Sequence, residues 1–223
     1  LVFFVAEIGS NWEGDIFKAE RLIMECKDAG ADAVKFQMWK QKDLYPDNLS
    51  FREFELTFDK ASRLKGFCDG IGIEFFCSVF YPEAVKFLEK LKVKRYKIAS
   101  RTFTGKDPHS QETIKAVCIT GKPVIYSNGT LDDSNTKQLY CISEYPANPD
   151  DIEWDIIGIY DGFSDHTLGI ESALKFAKLY PNKILEKHVK LEDSKGPDAF
   201  FSITTQKLAT LITRLTSSSV IPG

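Results

Sequence analysis

Short apolar runs of strand length alternate with amphipathic stretches of helical period along the whole of this chain. Val2–Ile8 opens the cycle; residues 15–29 carry apolar side chains at helical spacing and stop at Gly30, where a helix C-terminus favours glycine. Further strands are expected at Ala33–Gln37, Ile73–Ser78, Val93–Ala99, Pro123–Ser127, Gln138–Ser143, Asp155–Phe163 and Lys183–His188. Helices are expected at Phe58–Gly70, Pro82–Leu91, Ser110–Thr120, Gly169–Leu179 and Thr205–Leu215. The strands read as near-continuous apolar runs, as parallel strands covered by helices do. Eight of them in one chain predict an α/β fold of the closed (β/α)8 kind, a TIM barrel. The fifth unit is short, because the residues between Gly129 and the strand near Leu139 are too few for a crossover helix. A doubly wound open sheet is the competing architecture, but Ile8-Gly-Ser-Asn-Trp-Glu-Gly14 lacks the glycine spacing it wants after its first strand.

A chain of 223 residues, 43% of them hydrophobic, suits one large core, and residues 1–223 are read as a single domain. Its formal net charge of -3 offers no basic surface, so a nucleic-acid partner is not expected. No apolar run is long enough for a membrane helix, and no leader pattern is visible. Cys26, Cys68, Cys77, Cys118 and Cys141 are odd in number and form no C-x-x-C, which reads as free thiols in a reducing cytoplasm. Val220-Ile-Pro-Gly223 reads as a helix exit and a linker start.

In such a barrel the chemistry sits where strands end. The C-terminal strand ends carry a polar set: Glu7; Lys35 with Gln37; Ser78; Lys97 with Ser100; Ser127 with Asn128; Ser143 with Tyr145; Ser164 with His166; and Glu186 with His188. Residues two apart on a strand share a face, so Lys35 joins Gln37, Ser164 joins His166, and Glu186 joins His188. Lysines facing inward from apolar strands are costly unless something anionic meets them. Lys35, Lys97 and the serines therefore suggest a phosphate site; the plainer reading pairs a lysine with Glu7. Two of the three histidines end consecutive strands, as an open metal site would require, although backbone-bonded core histidines are the alternative. His109 reads as a helix-start residue without a role. Lys97 is also a candidate Schiff-base lysine.

Eight segments occur in one order: Ala6-Glu-Ile-Gly-Ser-Asn-Trp-Glu-Gly14, Gly30-Ala-Asp-Ala-Val-Lys-Phe-Gln37, Tyr96-Lys-Ile-Ala-Ser100, Pro123-Val-Ile-Tyr-Ser-Asn-Gly129, Ser143-Glu-Tyr-Pro146, Gly162-Phe-Ser-Asp-His-Thr-Leu-Gly-Ile170, Glu186-Lys-His188 and Gly196-Pro-Asp198. From Phe3 to about Ser202 the chain resembles the sialic acid synthase family, with its legionaminic and pseudaminic acid synthases. The resemblance implies a TIM barrel that condenses phosphoenolpyruvate with an N-acylated mannosamine-type sugar and releases phosphate. It also implies a divalent metal, Mn²⁺ by expectation and Mg²⁺ as the alternative. On this resemblance Lys35, Ser78, Lys97, Ser100, Ser127 and Ser164 would hold phosphoenolpyruvate, Ser143 joining the substrate-binding set. Gln37, Tyr145 and Asp198 would contact the sugar, His166 and His188 would bind the metal, and Glu7 would orient or deprotonate the attacking water. Where members of the family continue with Gly-Glu, this chain has Arg101-Thr102. The family's C-terminal antifreeze-like domain is expected to be absent, and a homodimer is a further implication. The alternative function is a degenerate barrel that binds phosphoenolpyruvate, a sugar phosphate or a partner without turnover.

Overall fold

The computed structural model describes residues 2–128, 131 and 135–217, so the segment Val220–Gly223 and the tip of the loop after Asn128 lie outside it. In chain order the elements are β1 (Phe3–Glu7), α1 (Ile16–Asp28), β2 (Ala33–Met38), α2 (Gln41–Leu44), α3 (Phe58–Ile71), β3 (Glu74–Val79), α4 (Pro82–Lys90), β4 (Tyr96–Ile98), α5 (Ser100–Phe103), α6 (Ser110–Ile119), β5 (Val124–Ser127), β6 (Thr136–Cys141), β7 (Gly162–Asp165), α7 (Glu171–Leu179), β8 (Ile184–Lys190), β9 (Ile203–Thr204) and α8 (Thr205–Ser217). Strands β1 to β8 pair in sequence order, every pair parallel, and β1 also pairs with β8. That closure makes the expected (β/α)8 barrel. Two-residue β9 adds a short ladder at the end of β8.

Local chemistry sets the helix limits. The Asp15 side chain accepts from the amides of Phe17 and Lys18 at the start of α1. Thr57 caps α3, and Pro82 opens α4. Gly72 ends α3 in the left-handed region (φ 74°), where a side chain would be strained.

Strand alternation sorts the interior into layers. Val5, Ala33, Phe76, Ile125, Leu139 and Ile184 form a separate apolar cluster inside the barrel. Two residues further along each strand, the same inward face carries Glu7, Lys35, Ser78, Ser127, Cys141 and Glu186. The outward faces join the helices in the main core around Leu22, Phe75, Phe163 and Phe176. Gly162 opens β7 because a methyl there would run into the Ile184 carbonyl and the Leu139 side chain.

Two expectations need correction. The run Asp155–Phe163 is not a strand: Ile157–Ile159 forms a 3-10 turn and the strand begins at Gly162. Its apolar residues misled because Ile157 enters the core while Ile159 is 80% exposed. The strand expected over Val93–Ala99 shrinks to Tyr96–Ile98, since α5 starts at Ser100. Among the described residues no helix joins β5 to β6, as the short spacing predicted. The five cysteines are unpaired. Among the described residues no helix is long and apolar enough to cross a membrane.

Candidate active site

The C-terminal ends of the strands surround a cavity of about 520 Å³, lined among others by Gln37, Ser100, Ser143, Tyr145, His188 and Asp198. Below it a recess of about 50 Å³ reaches Glu7, Lys35, Ser78, Lys97, Ser127, Ser164, His166 and Glu186. The structure thus brings every sequence-derived candidate to one end of the barrel, in two levels.

The lower level is a network of charges taken almost wholly out of water. Lys35 Nζ lies 2.8 Å from Glu7 Oε2, 2.8 Å from Ser78 Oγ and 3.4 Å from Glu186 Oε2. Lys97 Nζ donates to Ser127 Oγ at 2.7 Å and meets Glu186 Oε1 at 3.3 Å. Ser164 Oγ donates to the same Glu186 oxygen at 2.7 Å. The plainer pairing of Lys35 with Glu7 is therefore present, while both lysines and Ser164 converge on the Glu186 carboxylate and Ser78 and Ser127 each accept from a lysine. A phosphate or carboxylate of a ligand would meet the same donors.

The four charges perturb one another. Burial pushes the Glu7 carboxyl up to about 7, against the pull of Lys35 and with the Glu186 charge adding to the rise. Burial opposes ionisation of Glu186 as well, but Lys35 and Lys97 outweigh it and hold that carboxyl below its ordinary value. Burial, helped by the neighbouring Lys35 charge, lowers Lys97. Burial disfavours the Lys35 charge too, yet Glu186 and Glu7 more than restore it. Gln37 Nε2 donates to Glu7 Oε1 at 2.6 Å, which orients this raised carboxyl.

His166 and His188 stand with ring centres 5.7 Å apart. His166 Nδ1 lies 2.7 Å from the Ile142 carbonyl, which can only accept, so that nitrogen carries the proton and Nε2 presents its lone pair, with Ser164 Oγ 3.4 Å away. Burial pushes His166 down to about 4 and His188 well below its ordinary value, so both imidazoles are neutral, the ligating form. His188 Nδ1 is buried without a hydrogen-bond partner. An orphaned ring nitrogen on one histidine and an unprotonated one on its neighbour fit a divalent cation. Among the described residues no three histidine, cysteine or acidic side chains converge into a cage, so this would be an open site of two protein ligands.

The upper level is looser. Ser100 and Ser143 hydroxyls meet at 2.7 Å, and Asn128 Nδ2 donates to both, at 2.8 and 3.0 Å. Asn128 holds a left-handed backbone (φ 58°) that asparagine tolerates better than most residues. The Tyr145 ring lies 4.2 Å from His166 and 5.0 Å from Phe201. Asp198 accepts from Ser10 N at 2.8 Å, and a side chain at Gly9 (φ 53°) would collide with that carboxylate. His109 is close to Asp43, 3.6 Å away, and does not line the cavity.

Strand-end reading passed over one pair. Asp165 and Lys187 face outward between the histidine-bearing strands and form a fully buried ion pair at 2.8 Å. Lys187 Nζ also donates to the Thr167 carbonyl, while Asp165 Oδ1 accepts from Thr167 N and Oγ1, each at 2.8 Å. The pair clamps the turn that carries His166. Its sequence signal was present: two opposite charges at outward positions beside the two histidines.

Comparison with known proteins agrees with this geometry. Residues 22–223 match the NeuB family model. The chain is 31% identical to the N-acetylneuraminate-9-phosphate synthase of Mus musculus over 250 residues, covering 94% of this chain and 68% of that protein. It is 28% identical to the N,N'-diacetyllegionaminic acid synthase of Legionella pneumophila, covering 99% and 73%. The crystal structure of N-acetylneuraminic acid synthetase from Leptospira borgpetersenii superposes with a TM-score of 0.84 at 27% identity, covering 100% of this chain and 86% of that one. The closed parallel barrel, its polar strand ends and the family match lead to one conclusion: this chain belongs to the NeuB family.

Proposed function

We propose that the protein condenses phosphoenolpyruvate with an N-acylated mannosamine-type sugar to give a sialic-acid-like nonulosonic acid and phosphate. The observation that carries this reading is the convergence of Lys35 and Lys97 on buried Glu186, beside Ser78, Ser127, Ser164 and two neutral histidines. Lys35, Lys97 and the serines hold the phosphate and carboxylate of phosphoenolpyruvate and offset their charge. Gln37, Tyr145 and Asp198 bound the space left for the sugar. A divalent cation held by His166 and His188, Mn²⁺ or alternatively Mg²⁺, would supply Lewis-acid polarisation of the open-chain aldehyde.

The enol carbon of phosphoenolpyruvate attacks the aldehyde carbon, and the aldehyde oxygen gains a proton to become a hydroxyl. The electron-poor carbon left behind takes up water, whose proton passes to ionised Glu7. The tetrahedral product collapses to the ketone: its new hydroxyl loses its proton as the C=O bond forms and the carbon–oxygen bond to phosphate breaks. Glu7 suits the proton transfer because its pKa of about 7 matches a neutral working pH, and Gln37 aims it.

The test is release of inorganic phosphate from phosphoenolpyruvate with an N-acylmannosamine and Mn²⁺. The expected outcome is stoichiometric phosphate and nonulosonic acid; phosphoenolpyruvate binding without phosphate release would favour the non-catalytic barrel. Full activity in His166→Ala and His188→Ala would remove the metal from the reading. One observation favours a second reading: burial lowers Lys97, as a Schiff-base lysine requires. Trapping pyruvate on Lys97 with borohydride would support it, and a failure to trap dismisses it.

A further inference from the structure

Two cations line the mouth of the cavity without a role in the chemistry above. Arg101 follows Ser100 at the start of α5, and Lys106 stands in the loop before α6; both line the same 520 Å³ space as His188 and Asp198. Arg101 spends Nε on Asp107 Oδ1 at 2.6 Å, and among the described residues its two terminal nitrogens make no hydrogen bond. Asp107 is buried and also takes the Thr102 hydroxyl at 2.7 Å, so it props the guanidinium from behind and is not free to answer a second cation. Lys106 is exposed and makes no ion pair among the described residues. The carboxylate that does line this space, Asp198, is engaged by Ser10 N. A propped guanidinium with two spare parallel donors, next to an unpaired ammonium, is an arrangement that suits a dianion with several oxygens.

The depth of the cavity gives the position of that anion on the acceptor. The reacting aldehyde must lie at the floor near His188, which is 7% exposed, whereas the Arg101 side chain is 39% exposed. A six-carbon open chain that starts at the floor therefore carries its last carbon toward the mouth. We infer that Arg101 and Lys106 form a subsite for a phosphate monoester on the terminal carbon of the acceptor, so that the protein takes an N-acylated mannosamine 6-phosphate in preference to the neutral sugar. The inference rests on the condensation reading and names its acceptor.

The experiment compares kcat/KM for N-acetylmannosamine 6-phosphate and for N-acetylmannosamine, with phosphoenolpyruvate and Mn²⁺ fixed, in the wild type, Arg101→Gln and Lys106→Glu. The ratio of the two values is independent of the fraction of folded protein. In the wild type it favours the phosphorylated sugar by at least about tenfold, and each variant lowers it by about tenfold or more, the size of one lost charge-assisted hydrogen bond. A ratio at or below one in the wild type, or a ratio unmoved in both variants, overturns the subsite while leaving the condensation intact. No phosphate release with either sugar overturns the condensation and this inference together.

Discussion

At the floor of the cavity every charge already has a partner inside the protein, while at its mouth Arg101 and Lys106 keep donors to spare. The floor is built on strand residues whose positions are set by neighbours in the ladder, as Ser78 stands opposite Lys97 and Ser164 opposite Glu186. The mouth is built on α5 and the loop that follows it. In the low-dielectric floor, removal of one partner leaves a charge that water cannot reach, so the elements there stand or fall together. At the wet mouth a changed residue costs little, and the acceptor preference can shift without endangering the fold. On the proposed condensation, two lysines and two carboxylates would make a fixed half for phosphoenolpyruvate, and the open rim an adjustable half for the acceptor.

This contrast can be broken at several points. The largest effect belongs to the floor: Lys97→Met should lower kcat/KM for phosphate release by about 10³-fold, the scale of a lost transition-state donor. A loss of less than tenfold would mean that Lys97 is only a partner for Glu186. The clamp behind the histidines should fail as a buried charge pair does. Lys187→Met leaves Asp165 buried without its cation, and should cost about 3–5 kcal/mol in urea unfolding, with most of it recovered when Asp165→Leu is added. Recovery of stability without recovery of Mn²⁺ affinity would separate the clamp's hold on His166 from its part in the fold.

The pH dependence comes next. In the proposed reaction Glu7 must be ionised to accept a proton, and its pKa is raised to about 7, so activity should be present above that value and lost as the pH falls through it. The acid limb of kcat/KM should fall roughly tenfold per pH unit, and Glu7→Gln should remove the limb along with most of the rate. A limb near 4.5, the ordinary value, would mean that burial of Glu7 does not outweigh the pull of Lys35. The smallest effect belongs to the mouth: Lys106→Ala should change unfolding stability by no more than about 0.5 kcal/mol, because the residue is exposed and makes no ion pair among the described residues.

The alternation of periods made the barrel legible, because strand and helix periodicities are local and each unit repeats the same local choice. It failed over Asp155–Phe163, where an apolar run met no ladder partner until Gly162, opposite Leu139. Whether an apolar stretch becomes strand depends on its neighbour across the sheet. Lys35 with Gln37, Ser164 with His166 and Glu186 with His188 were legible as shared faces, since a strand places residues two apart on one side. The Asp165–Lys187 clamp escaped that reading, because outward strand positions face the helices and not the rim where the polar set gathers.

By itself the sequence determined that eight strands would carry polar residues to one rim, with lysines, serines and two histidines among them. Tertiary structure alone decided which charges meet. Glu186 is 151 residues from Lys35 and 89 from Lys97, yet it touches both. The proton on His166 Nδ1, the pKa of Glu7 near 7 and the free donors of Arg101 follow from such meetings. They depend on barrel closure and on the stagger between strands, which bring distant residues into one buried layer where charge interactions are strong.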